Sequence, residues 1–386
     1  MPDPARSVRG AVTAGPQSRA SAPLRVLLIN FTLDEASPVL AWQAAVAKGL
    51  ARRVAAVHVF TEWLGAFEAP EGLTLDAMPH CPLGIPRRLG STWLMLPSLL
   101  RRIATFRPDA CFIHMTHRWG YRIAPYLRAR GIPVLLWYAH GSTPIGLRLA
   151  TLGVSRVVTS TPEGFRIDTP KKRVIGQAID TEMFTVPSDR APAREIVTVG
   201  RVSRRKRSLL LIEAMAQLVR RPGFSDAQLI IVGPELTSDD KAYRSEIEAR
   251  IAELGIGPNV RLAGPMPQAH TAGLYRTAAL HVNVSETGSM DKTVMEALSC
   301  GCPVLTSNEA FFDVLARWPD MLIPAPTAET LAERMAMWLD GRAAAEAGAL
   351  RSIVAGHHDL DGYIDRIVAE LGQLVAEART AGRRAS

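Results

Sequence analysis

The sequence predicts an α/β protein of two Rossmann-like, doubly wound domains facing each other across a cleft, and three observations carry that expectation. Its 386 residues exceed what one hydrophobic core usually serves and suit two. Short runs rich in Val, Leu and Ile recur between helical stretches, as buried parallel strands do. A polar stretch between Pro187 and Pro192 interrupts the series near its middle, where a domain boundary is expected.

Taken in order, residues 1–23 are rich in Ala, Ser, Arg, Pro and Gly and read as a disordered extension, with an organelle transit peptide as the lesser alternative. The first domain, residues 24–186, has expected strands at 26–29, 54–60, 110–113, 134–137, 157–159 and 174–175. The second, residues 194–350, has them at 196–199, 229–232, 260–262, 280–284 and 304–306. Alternating strands and helices imply right-handed crossovers, and ligands at the carboxyl ends of the strands. In residues 351–378, Leu360, Ile364, Ile367, Val368, Leu371, Leu374 and Val375 form one apolar helical stripe, which needs a surface to pack on; the first domain is the expected one. Residues 379–386 form a basic tail.

Composition narrows the function classes. Hydrophobic residues at 47% and charged residues at 21% place the chain among soluble globular proteins. A net charge of +8 attracts anions, whether phosphorylated small molecules, acidic membrane surfaces or nucleic acid. No nucleic-acid module is present and aromatic residues are only 6%, so specific nucleic-acid binding is not expected. No apolar run approaches a membrane span, and none near the start resembles a signal-peptide core. Cys81, Cys111, Cys300 and Cys302 lack paired zinc spacing, which favours a reduced, cytoplasmic setting.

The chemistry concentrates in the second half. The expected strand 196–199 runs into Gly200-Arg201-Val202-Ser203-Arg204-Arg205-Lys206. Glycine permits close backbone approach, and Arg201 and Lys206 offer donors to phosphate oxygens; a solvated basic turn is the alternative. After strand 280–284 come Ser285, Glu286, Thr287, Gly288, Ser289, Met290, Asp291 and Lys292, then a helix through Glu296 that ends at Gly301. Lys292 and Glu296 share a helix face in the less favourable order for the helix dipole, which a bound anion would correct. A phosphate there would meet backbone N–H groups and Lys292, with Glu296 one turn further in to accept ribose hydroxyls; an exposed ion pair is the alternative.

These motifs resemble those of glycosyltransferase family 4, whose members have the two-domain GT-B fold. The resemblance covers most of residues 24–378. Gly200-Arg201 with Lys206 looks like the family's diphosphate motif, and Glu296-Ala297-Leu298-Ser299-Cys300-Gly301-Cys302-Pro303-Val304 looks like its EAxxCGxPV run with the ribose glutamate. Val174-Ile175-Gly176 through Asp180 and Phe184 is similar to the interdomain crossover, and Trp137-Tyr138-Ala139-His140-Gly141 to the His-Gly motif of the catalytic cleft. Two positions depart. The family carries a sugar-contacting glutamate eight residues before the ribose glutamate, where this chain has Gly288; Glu286 could substitute across a two-residue insertion, with Asp291 the weaker candidate. The glycine-rich loop after the first strand is replaced by Asn30-Phe31-Thr32-Leu33-Asp34-Glu35-Ala36-Ser37-Pro38.

The resemblance implies a retaining transferase, without metal or cofactor, using a UDP- or GDP-linked sugar and a glycan or lipid-linked acceptor, as in cell-envelope or exopolysaccharide synthesis. It casts His140, Arg201, Lys206 and Glu286 in catalysis, and Gly200, Arg201, Lys206, Ser289, Lys292 and Glu296 in donor binding. A nucleotide-sugar epimerase or a catalytically inactive nucleotide-sugar-binding scaffold are the alternatives. His114 and His117 lack a third metal ligand, and Asp359 with Asp361 reads as a helix cap. Arg87-Arg88 and Arg101-Arg102 flank Trp93, Leu94, Met95, Leu96, Leu99 and Leu100, which suits either an inner-membrane surface contact or a core helix with charged edges.

Overall fold

The computed structural model describes residues 23–78, 90–189, 193–285 and 288–385. Seven parallel strands form the first sheet: β1 (Arg25–Leu33), β2 (Ala56–Leu64), β3 (Leu73–Ala77), β4 (Ala110–His114), β5 (Val134–Trp137), β6 (Arg156–Thr159) and β7 (Lys172–Val174). Their order is β3-β2-β1-β4-β5-β6-β7. Five parallel strands form the second: β8 (Ala193–Val199), β9 (Gln228–Val232), β10 (Val260–Gly264), β11 (Ala278–Asn283) and β12 (Val304–Thr306), in the order β10-β9-β8-β11-β12. Both orders reverse beside the first strand of the sheet, the switch point at which doubly wound folds bind ligands.

β1 shows why these strands read as unbroken apolar runs. Val26 and Leu28 enter the core on one face of the sheet, and Leu27 and Ile29 the core on the other. Both faces are covered by helices, so the two-residue alternation of side chains leaves no polar side. β3 has no counterpart in the expected strands. It is an edge strand whose Leu73 alone is fully buried, and the hydrophobic signal is correspondingly thin.

The chain crosses between domains twice, and the two crossings lie side by side. Ile179 N–H donates to His358 O at 2.8 Å and Leu360 N–H to Ile179 O at 2.7 Å, while the Gln177 N–H donates to His358 Nδ1 at 3.0 Å. The last helix, Leu360–Ala385, then lies on the first sheet, with Tyr363, Ile364, Ile367 and Leu371 buried in the same core as β1. Arg156 of β6 reaches Glu370 at 2.5 Å and Glu377 at 2.8 Å on this helix. Among the described residues, no helix is long and apolar enough to cross a membrane.

Burial pulls the imidazoles of His114 and His281 down to about 3 and that of His358 to about 4. Each folded-state value lies below the ordinary 6.5, so the stability from keeping these rings neutral is fully present above pH 6.5 and is lost progressively as pH falls from 6.5 to the folded values. Stability is expected to drop by up to about 1.4 kcal/mol per pH unit per histidine in the middle of that window. Urea melts at about pH 7.5 and about pH 5 check this, and equal stabilities would contradict it.

Candidate functional site in the interdomain cleft

The second domain builds its wall from strand ends. β8 leads into Gly200 and β9 into Gly233, and their backbones touch: Gly200 N–H donates to Val232 O, and Val202 N–H to Pro234 O. A Cβ on Gly233, whose φ is +149°, would stand 1.9 Å from Gly200 O. Sequence reasoning passed over Gly233, although a glycine closing the buried run Leu-Ile-Ile-Val carries the same signal as Gly200. Gly233→Ala is expected to cost at least about 1–3 kcal/mol through backbone strain and to push β8's end aside, as calorimetry and thermal melts can measure.

Beyond Gly200 the chain makes a 3-10 turn, Arg204–Lys206, closed by Arg207 in the left-handed region at φ 53°. The turn brings the Lys206 stem back over Gly200, and its Nζ meets Asp291 Oδ2 at 2.8 Å. The same oxygen accepts from Asn283 Nδ2 at 2.9 Å and Ser285 Oγ at 2.6 Å. Burial works against the charge of Asp291, yet Lys206 and these donors hold its carboxyl below the usual carboxylate range. Arg201, 43% exposed, has its Nε 3.5 Å from buried Asp240, itself fixed by a capping box with Thr237.

Asp291 is also the extended N-cap of the helix Lys292–Ser299, and its side chain makes no capping bond there. The helix start thus keeps N–H groups for another acceptor. Lys292 makes contacts that the sequence reading did not include. Its ammonium donates to Ala178 O, in the crossing segment, and lies 4.0 Å above the Trp42 ring. One turn on, Glu296 is only 7% exposed. Burial pulls the Lys292 ammonium down and pushes the Glu296 carboxyl up, each opposed by the other's charge.

The first domain supplies the facing wall. His140 follows β5; its N–H donates to Gly164 O at 2.8 Å, and its Nδ1 accepts from Ser142 N–H at 3.1 Å. A neutral ring accepting there carries its proton on Nε2. Burial and then the positive charge of Arg205 hold it below the ordinary histidine value, with Asp291 opposing.

Between the walls is a cavity of about 330 Å³ that Gly200, Arg201, Lys206, Ser289, Lys292 and Glu296 all line. Its first-domain side is apolar, with Pro38, Val39, Leu40, Trp42, Met115 and Trp137. His140 is not part of this lining, but its neighbour Ala139 is. Glu286 lies outside the described residues. Gly288 has φ +60°, and a Cβ there would fall 2.4 Å from Arg166 Nη2 and 2.8 Å from Glu309 Oε1. Arg166 and Glu309 form a 2.7 Å ion pair across the domains at that spot. Asn308 Nδ2 donates to Ser289 O at 2.7 Å and Gln177 Nε2 to Met290 O at 3.1 Å, so both domains pin this loop.

The remaining candidates lie apart. His114 is buried with Trp42 edge-on at 4.6 Å, and no cluster of three potential metal ligands occurs among the described residues. Asp359 accepts from Gly362 N–H at 2.6 Å, and Asp361 pairs with Arg53. Of the basic and apolar segment, residues 86–89 lie outside the described residues. Further on, in the helix Gly90–Phe106, Leu99 and Ile103 are buried and Arg102 bonds Asp76 at 2.9 Å, so this part turns its apolar side to the core.

Two facing Rossmann-like domains joined by a double crossing, with an anion-ready helix start in the cleft, define the GT-B architecture. Sequence comparison agrees in both halves. Residues 182–349 match the family model described as glycosyl transferases group 1, and residues 44–167 that described as glycosyltransferase family 4. Both halves of the chain thus match glycosyltransferase family models.

Among curated relatives, a D-inositol 3-phosphate glycosyltransferase of Corynebacterium jeikeium is 30% identical over 42% of this chain and 41% of its own length. Another, of Catenulispora acidiphila, is 25% identical over 59% and 63%. The lipopolysaccharide core biosynthesis mannosyltransferase LpsB of Rhizobium meliloti is 26% identical over 50% and 58%. The chain thus matches less than two thirds of the length of these relatives. Among solved structures, Anabaena HepE in complex with UDP and glucose shares the fold with TM-score 0.71 at 16% identity, over 90% of this chain and 99% of that one. A sucrose-phosphate synthase of Thermosynechococcus elongatus does so with TM-score 0.74 at 20% identity, over 92% and 100%.

Proposed function

We propose that this protein is a retaining glycosyltransferase that moves a sugar from a UDP- or GDP-linked donor to a glycan or lipid-linked acceptor in cell-envelope or exopolysaccharide synthesis, working in the cytoplasm at the inner face of the plasma membrane. The observation that carries the reading is the convergence of Gly200, Arg201, Lys206 and the start of the helix Lys292–Ser299 on one cleft, opposite a first-domain wall that includes Ala139, the neighbour of His140. Arg201 and Lys206 neutralise the leaving diphosphate, Glu296 holds the ribose, and His140 presents its Nε2–H beside the transferred sugar. The anomeric C–O bond to phosphate breaks, the bond to the acceptor oxygen forms on the same face, and the acceptor proton passes to the departing phosphate oxygen.

The HepE complex supports a nucleotide-sugar donor by analogy of fold, and the inositol phosphate and lipopolysaccharide relatives support a polar, polyhydroxylated acceptor. Thermal-shift titration with UDP, GDP, ADP and their sugar conjugates tests the donor, since a ligand of the native state raises its stability. Product analysis then tests the reaction. Transfer with retained anomeric configuration supports it; donor conversion without an acceptor, or binding without turnover, overturns it in favour of an epimerase or a scaffold.

A further inference from the structure

We propose that the helix Ile145–Gly153 is an interfacial anchor that docks the first domain on an anionic lipid bilayer. Its sequence puts Ile145, Arg148, Leu149 and Leu152 at spacings of three, four and seven, hence on one face. That face is bare. Ile145 is 78%, Leu149 50% and Leu152 72% exposed, and Arg148 is exposed among them, whereas Leu147, Ala150 and Thr151 are buried on the opposite side. The buried side packs on the helix His117–Ala129, where Gly120 leaves room for Ala150. Among the described residues, the exposed side has no partner that would explain three large aliphatic side chains.

Charge names the occupant. Between Asp109 and Glu163 the sequence has no acidic residue, yet it carries Arg118, Arg122, Arg128, Arg130, Arg148 and Arg156. Arg118 and Arg156 are spent on Glu62 and on Glu370 with Glu377. Arg128 and Arg130 are exposed at the end of the neighbouring helix, the first donating to Gly153 O and the second lying over the Tyr126 ring. Aliphatic side chains flanked by cations, with no carboxylate nearby in sequence, complement an acidic headgroup layer over an acyl boundary. A protein partner is less well matched: three side chains without an aromatic anchor fall far short of the roughly 1,200 Å² of a stable interface.

The helix begins five residues after His140, so docking would bring the cleft rim to the bilayer, where a lipid-linked acceptor would reside. Only that last consequence rests on the transferase reading, and the docking is tested without turnover. Full-length protein is floated with phosphatidylglycerol/phosphatidylcholine vesicles and with pure phosphatidylcholine vesicles. Wild type is expected to float with the anionic vesicles alone. The triple variant Ile145→Ser, Leu149→Ser, Leu152→Ser should partition roughly tenfold or more weaker, and Arg148→Glu roughly fivefold or more, while both keep the wild-type thermal response to nucleotide. Equal flotation of wild type and variants, flotation on neutral vesicles, or no flotation overturns the proposal. A lipid-free dimer that the triple variant dissolves into monomers also overturns it, by assigning the face to a second copy of the chain. A missing nucleotide response in wild type would count instead against the transferase reading.

Discussion

Lys206→Ala is expected to lower kcat/KM for sugar transfer by about 100- to 1,000-fold, the loss typical of removing one preorganised donor from developing negative charge. The variant has a second effect that must be separated from the first. Lys206 is the cationic partner of Asp291, whose side chain is 14% exposed and whose Oδ2 it meets at 2.8 Å. Without the ammonium, a largely buried carboxylate loses its cationic partner while Asn283 and Ser285 still donate to it, and about 1–3 kcal/mol of stability should go with the loss. Adding Asp291→Asn removes the stranded charge. The double variant should therefore recover most of the lost stability in thermal melts while transfer stays low. Recovery of transfer along with stability would assign Lys206 a purely structural part, and near-normal transfer by Lys206→Ala alone would remove it from the reaction.

Glu296→Ala should be at least as severe, for a different physical reason. Glu296 is 7% exposed and is the charge that opposes the burial of Lys292. Removing it takes away the charge that opposes the burial of Lys292, whose ammonium keeps Ala178 O and the Trp42 ring, so a loss of about 1–3 kcal/mol is expected. Glu296→Gln keeps the shape and two hydrogen-bonding groups, so it should fold better than the alanine variant and still bind donor weakly. The ribose assignment has a direct check in a 2′-deoxy or 3′-deoxy nucleotide. Wild type should bind one of them on the order of tenfold worse than the ribonucleotide, and Glu296→Gln should lose most of that discrimination. A variant that discriminates as wild type does would place the ribose elsewhere.

The parts of the fold that were legible are those whose signal is local. β1, β4, β5 and β9 are buried on both sides, and each is an apolar run that no other local structure of that length explains. The final helix announced itself by its stripe, since Leu360, Ile364, Ile367 and Leu371 can share a face only at helical periodicity. β3 was not legible because an edge strand with one fully buried residue has almost no pattern to show. In the cleft, Gly200, Arg201, Lys206, Ser289, Lys292 and Glu296 were picked out by residue type beside strand ends and helix starts, and they do line one cavity.

Which partner each charge takes was not legible. Lys206 and Asp291 are 85 residues apart, Lys292 and the Ala178 carbonyl 114, and Arg166 and Glu309 143. By itself, then, the sequence determined that this chain builds two parallel α/β domains and which residue types gather at the carboxyl ends of the second sheet, because apolar periodicity and glycine-ended strands are properties of adjacent residues. Only the tertiary structure decided that Lys206 is held by Asp291, that Lys292 reaches across to the crossing segment, and that an ion pair from both domains stands at Gly288. Those contacts depend on sheet order and on the paired crossings at Ile179 and Leu360, which bring distant residues together and leave no local trace in the chain.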